Sequence, residues 1–113
     1  MPKIPYTDGE ETVGDSYPST PKRIITIDCE KVIILIKNTH ASNALLYKIV
    51  GYLDVNDLTD SANELVSETN LAAGGVAVYS LSDPYEAVAL LWKNALAGSA
   101  AKVKAWVNTR PRR

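Results

Sequence analysis

The chain has 113 residues, a formal net charge of −1, one cysteine and one histidine. A chain of this length forms a single domain, and its apolar and charged fractions of 46% and 22% exclude wholesale disorder. The near-balanced charge excludes a polyanion binder built on net charge, Cys29 alone excludes an intramolecular disulfide framework or a multi-cysteine metal centre, and His40 alone excludes a histidine-rich one.

Residues 1–21 hold Pro2, Pro5, Pro18 and Pro21 among scattered Gly, Asp and Glu, with no apolar period. Each proline fixes φ and removes an amide donor, so the segment reads as an extended N-terminal arm that could reach roughly 70 Å when fully stretched. Ile4, Tyr6, Val13 and Tyr17 are its candidate anchors on another surface. The arm has no apolar core of the signal-peptide kind. The run Val32-Ile33-Ile34-Leu35-Ile36 is far shorter than the about 20 residues of a spanning helix. The expectation is synthesis in a cytoplasm, no export signal and no membrane partner.

Residues 22–109 read as the globule. Arg23–Asp28 is rich in β-branched residues and predicts a strand. Glu30–Lys37 is a continuous apolar run with charged ends, the pattern of a central strand buried on both faces. Asn38–Asn43 is a turn by composition, and Ala44–Asp54 is a strand in which Gly51 suits a bulge or a close crossing. Residues 54–63 are acidic and read as a loop, Leu65–Thr69 as a short strand and Ala72–Gly75 as a turn. Val76–Leu81 alternates, with Val76, Val78 and Ser80 opposed to Ala77, Tyr79 and Leu81. Residues 83–98 admit two readings. Asp83, Pro84 and Glu86 form a helix-start signal, whereas Val88, Leu90 and Trp92 share one face if the segment is a strand. Lys102–Asn108 alternates and is expected to pair with Tyr85–Leu96 through the turn at Gly98. The sum is an all-β antiparallel sandwich of about six to eight strands, Ig-like or jelly-roll-like, with the arm at 1–21 and a basic tip at 110–113.

Few residues offer chemistry. Asp54, Asn56, Asp57 and Asp60 resemble a calcium loop faintly, but Leu58 stands where an Asp or Asn is needed. His40 lies in a polar turn beside Ser42, without an evident third group to orient it. Cys29 sits between Asp28 and Glu30, which oppose a thiolate. No enzyme, metal or cofactor is expected. Arg110, Arg112 and Arg113 make the basic tip, and Asp54, Asp57, Asp60, Glu64 and Glu68 form a stretch of five acids without a base. Three arginines neutralise too few phosphates for specific nucleic-acid binding. Pairing of the basic tip with an acidic segment of a neighbouring copy fits equally well.

Ile36-Lys37-Asn38-Thr39, Ala44–Ile49, Glu68–Gly74, Leu81–Tyr85, Ala97–Ala100 and Val103–Asn108 together resemble small β-sandwich virion proteins of tailed phages and related viruses. The resemblance covers residues 32–109 and implies a head decoration, cement or accessory protein used in many copies. It also implies a strand after Asp83-Pro84-Tyr85, a virion location, and self-association or binding to a major capsid protein, with a trimer among the options. A β-sandwich module that binds glycans or a host surface through Trp92, Trp106 or tyrosines is the alternative.

Overall fold

The computed structural model describes residues 3–19, 21–54, 63–82 and 85–111; for Lys3, Ile4, Asn63 and Pro111 it gives the backbone alone. The described residues form nine strands: β1 (Lys3–Pro5), β2 (Glu11–Thr12), β3 (Arg23–Ile25), β4 (Cys29–Asn38), β5 (Leu45–Tyr52), β6 (Asn63–Leu71), β7 (Val76–Leu81), β8 (Ala87–Asn94) and β9 (Lys102–Pro111). All pairings are antiparallel. Sheet I has the order β1-β9-β4-β7, with β2 also on β9, and sheet II has the order β3-β8-β5-β6. The two sheets make a sandwich with a radius of gyration of 13.7 Å. Two of the nine strands come from the arm, which the sequence reading leaves outside the sandwich.

The core lies between the sheets. β4 contributes Val32, Ile34 and Ile36, and β5 contributes Leu45, Tyr47 and Ile49. β8 adds Val88 and Leu90, and β9 adds Val103, Ala105 and Val107, every one of them buried. Each set recurs at period two, as a strand with one face inward requires. A second, smaller cluster of Val50, Tyr52, Ala87, Ala89 and Leu91 lies on the outer face of sheet II, against Tyr17 of the arm.

Residues 87–94 are a strand, as the resemblance implies and the local helix signals do not. β8 is buried on both faces, so its sequence is apolar at nearly every position and shows no alternation. Small Ala87 and Ala89 face outward under the covering chain, while Val88 and Leu90 face the core. Asp83 and Pro84 lie outside the described residues.

The expected pairing of 102–108 with 85–96 is overturned. β8 belongs to sheet II, and β9 runs between β4 and β1 in sheet I. The connection crosses from one sheet to the other. Gly98 adopts φ +83°, and Ser99 N donates to Leu96 O at 3.0 Å. Asn94 Oδ1 accepts from Ala101 N at 3.0 Å, tying the far end of the crossing to its start. Gly51 marks the close approach expected there: a Cβ would stand 2.5 Å from Cδ1 of Tyr85, and the β5–β6 register shifts beside it, between Ile49 and Val50.

Candidate assembly site

Cross-strand partners in a sheet share a face, so the register of sheet I defines its outer surface. Pro5, Trp106, Leu35 and Val78 align as one row across β1, β9, β4 and β7. One flanking row is Lys104, Lys37 and Val76; the other is Asn108, Ile33 and Ser80. Val76 and Val78 are 52% and 59% exposed, and Ile33, Leu35 and Trp106 are only half-buried. A groove of about 440 Å³ runs over Ile33, Leu35, Lys37, Val76, Trp106 and Asn108. Lys104 Nζ lies 5.4 Å from the Trp106 ring centre, and among the described residues no ion pair engages Lys37 or Lys104.

This corrects the expectation for Glu30–Lys37. β4 is central, but only its inward side chains Val32, Ile34 and Ile36 are fully covered. Among the described residues, no second layer is laid over the outward pair Ile33 and Leu35, which are half-buried. The alternation expected for 76–81 is present, with Ala77, Tyr79 and Leu81 turned inward.

The arm residues singled out from sequence are placed differently from one another. Tyr6 and Val13 are buried in the core of their own chain. Ile4 pairs with Val107, and its side chain lies outside the described set. Tyr17 lies on the outer face of sheet II, where its hydroxyl donates to Glu68 Oε1 at 2.6 Å between Lys48 and Lys93, whose Nζ atoms stand 4.7 and 4.9 Å from its ring centre. Burial pushes the Tyr17 phenol up, and the Tyr17 hydrogen bond, followed by Lys93, holds the Glu68 carboxyl below its usual range. Asp15 Oδ1 accepts from Asn94 Nδ2 at 2.8 Å and Gly98 N at 3.0 Å, which lowers its carboxyl likewise. The arm is therefore stitched to its own sandwich at both sheets.

At the basic tip, Arg110 Nε lies 3.9 Å from Glu30 Oε1; Arg112 and Arg113 lie outside the described residues, as do Asn56, Asp57, Leu58 and Asp60 of the faint calcium-like loop. Among the described residues no group of three potential metal ligands converges. His40 Nδ1 accepts from Ser42 N and Asn43 N at 3.0 and 2.9 Å, so this nitrogen serves the turn. Trp92 packs edge-on against Tyr6, with ring centres 5.5 Å apart. What sequence reasoning missed is the outer row itself. Its members were visible singly, but only the register assembles Pro5, Trp106, Leu35 and Val78 from four strands.

No family model and no curated protein matches the sequence. Among solved structures, the chain is similar to one from the work "Bacillus endospore appendages form a novel family of disulfide-linked pili", with 13% identity and a TM-score of 0.43 over 100% of this chain and 93% of that one. It is also similar to the SPBc2 prophage-derived protein YomS, with 10% identity and a TM-score of 0.41 over 92% of this chain and 94% of that one.

Proposed function

We propose that this chain is a non-enzymatic structural subunit of a virion, a decoration, cement or accessory protein, and that it associates with itself through the outer face of sheet I. The supporting observation is the row Pro5–Trp106–Leu35–Val78, apolar, running across the whole of sheet I and without a second layer among the described residues. An exposed apolar face of this kind is the usual mark of a contact surface. The virion assignment rests on the resemblance of residues 32–109.

The flanking rows favour a second copy as occupant. A two-fold axis lying along the apolar row would set it against its own copy. Lys104 of one copy would then face Asn108 of the other, Lys37 would lie over Ile33 and Val76 over Ser80, so no ammonium group faces another. Such a contact is isologous and closes on itself. The arm contributes in a second way. Its strands already pair with β9 and its anchors fill the core, so exchanging arms between neighbours would preserve every contact and make it intermolecular.

The test is native mass by light scattering. The wild type is expected as a defined oligomer, and Val78→Glu, which changes an exposed edge-strand residue, is expected near the 12.3 kDa of one chain. A wild-type monomer at high concentration sinks the self-association reading. A glycan-binding module is the second reading, favoured by a half-exposed Trp106 beside Asn108 in a shallow groove. Glycan-array binding that disappears in Trp106→Ala while the wild type stays monomeric would select it.

A further inference from the structure

The arm is held by two sets of contacts that differ in kind, and they meet between Val13 and Gly14. On one side, Tyr6 and Val13 fill the core, and their N–H groups donate to Ala105 O and Ala101 O, both at 2.9 Å. The Tyr6 hydroxyl lies 2.5 Å from Lys22 O and accepts from Leu90 N at 3.2 Å, so the chain is fixed again just before β3.

On the other side, Gly14, Asp15 and Ser16 are exposed and Tyr17 is half-buried. A Cβ at Gly14 would meet nothing within 4 Å. The described contacts of these four residues are polar and superficial. Gly14 O accepts from Asn94 N at 2.8 Å, Asp15 Oδ1 accepts from Asn94 Nδ2 and Gly98 N, and the Tyr17 hydroxyl donates to Glu68. Exposed charged contacts contribute little each, whereas large core side chains contribute far more. Local opening begins where buried apolar contact is least. Val13 and Lys22 are the fixed points on either side, so Gly14–Tyr17 can lift without the arm leaving its seat.

We propose that Gly14–Tyr17 is a strap that lifts from sheet II as a unit while Tyr6 and Val13 stay in the core. Closed, it lays the Tyr17 ring against the cluster of Val50, Tyr52, Ala87, Ala89 and Leu91; open, it gives water access to the apolar atoms beneath that ring. Two carboxylates clasp it from opposite parts. Asp15 reaches from the strap to the crossing between β8 and β9, and Glu68 reaches from β6 to the strap. The second clasp is tied into the surface charges of sheet II, where Lys93 lies 3.7 Å from Glu68 and Lys48 lies 3.8 Å from Glu64. The strap opens within a single chain and leaves the sheet I face untouched, so it does not rest on self-association.

The test compares the full chain with its Asp15→Ala, Glu68→Ala double variant, which removes both clasps and keeps Tyr17 and every core side chain. Amide hydrogen exchange reads the strap at Asn94 N–H and the seat at Tyr6 N–H and Val13 N–H. In the wild type, Asn94 is expected to exchange faster than Val13. In the double variant, Asn94 is expected to speed up at least about tenfold while Tyr6 and Val13 do not change. A soluble paramagnetic probe should broaden the Val50 and Leu91 methyl signals more in the variant. Tyr17→Phe, which removes only the hydroxyl, should move Asn94 in the same direction by less. An unchanged Asn94, an equal acceleration of all three amides, or methyl signals no more broadened than in the wild type would each overturn the proposal.

Discussion

β4 and β8 both carry unbroken apolar runs, Val32–Ile36 and Ala87–Trp92, and both lie inside their sheets. Their outer sides differ. Over β8 the arm brings Tyr17, and Arg23 places its guanidinium 4.2 Å from the Tyr52 ring centre, so Ala87, Ala89 and Leu91 are buried. Over β4 nothing from the described chain is laid, and Leu35 shares its row with the exposed Val78. The same kind of sequence is completed within the chain in one sheet and left without a second layer among the described residues in the other. A strand whose composition asks for two covers and receives one is a better guide to a contact surface than any single exposed residue.

The largest test of this contrast removes the internal cover. Deleting residues 1–21 takes Tyr6 and Val13 out of the core and the covering Tyr17 off sheet II. With losses of about 2–5 kcal/mol per large core side chain against a typical total of about 5–15 kcal/mol, the truncated chain is expected to lose cooperative unfolding in urea. Mass measurements on that truncation would therefore report on folding before they report on assembly. Tyr6→Ala alone is expected to cost about 3–5 kcal/mol, and Tyr6→Phe, which removes only the hydroxyl between Lys22 and Leu90, about 1–2 kcal/mol in the same measurement.

Next in size is Gly51→Ala, where the new methyl meets the Tyr85 ring. The expected loss is about 1–3 kcal/mol, read from the urea midpoint. Alkaline pH probes the same buried interior. The Tyr6 phenol is pushed up to about 12 by burial, and that of Tyr47 to about 12 by burial and its hydrogen bond with Tyr79. A raised phenol favours its neutral form in the fold. The associated stability is therefore complete below the ordinary tyrosine value of about 10 and is lost as pH rises toward about 12. The thermal midpoint should fall across that window, less steeply in Tyr6→Phe.

The smallest effect on the monomer is expected on the uncovered face. Val78→Glu should change the stability of the single chain by no more than about 0.5 kcal/mol while shifting the native mass, whereas an equivalent charge at the covered position Leu91 should unfold the protein. If both substitutions behaved alike, the two outer faces would not differ as described.

The sandwich class, the alternation of 76–81 and the close crossing at Gly51 were legible from periodicity and residue size; which face of 76–81 turns inward was not. β8 was locally ambiguous, because burial on both faces erases the alternation that distinguishes a strand. The partner of β9 was misjudged because proximity in sequence through Gly98 suggested a hairpin, whereas the chain changes sheets there. The arm looked independent because Tyr6 and Val13 lie in a proline-rich, polar context, and nothing local shows that their sites are formed by strands many residues away. The exposed row was illegible for the same reason: it is a property of register.

The pairing of Lys3 with Asn108 joins an early and a late segment of the chain in one ladder. During vectorial synthesis β1 therefore leaves the ribosome well before β9 and must wait for it. Until β9 emerges, Tyr6 and Val13 have no seat and the edge of β8 lacks its hydroxyl bridge. Contacts this distant in sequence are slow to close, so the nascent chain passes through a stage in which the arm is free and the core incomplete. If the chain self-associates as proposed, that interval is when an arm from one copy can settle on the body of another.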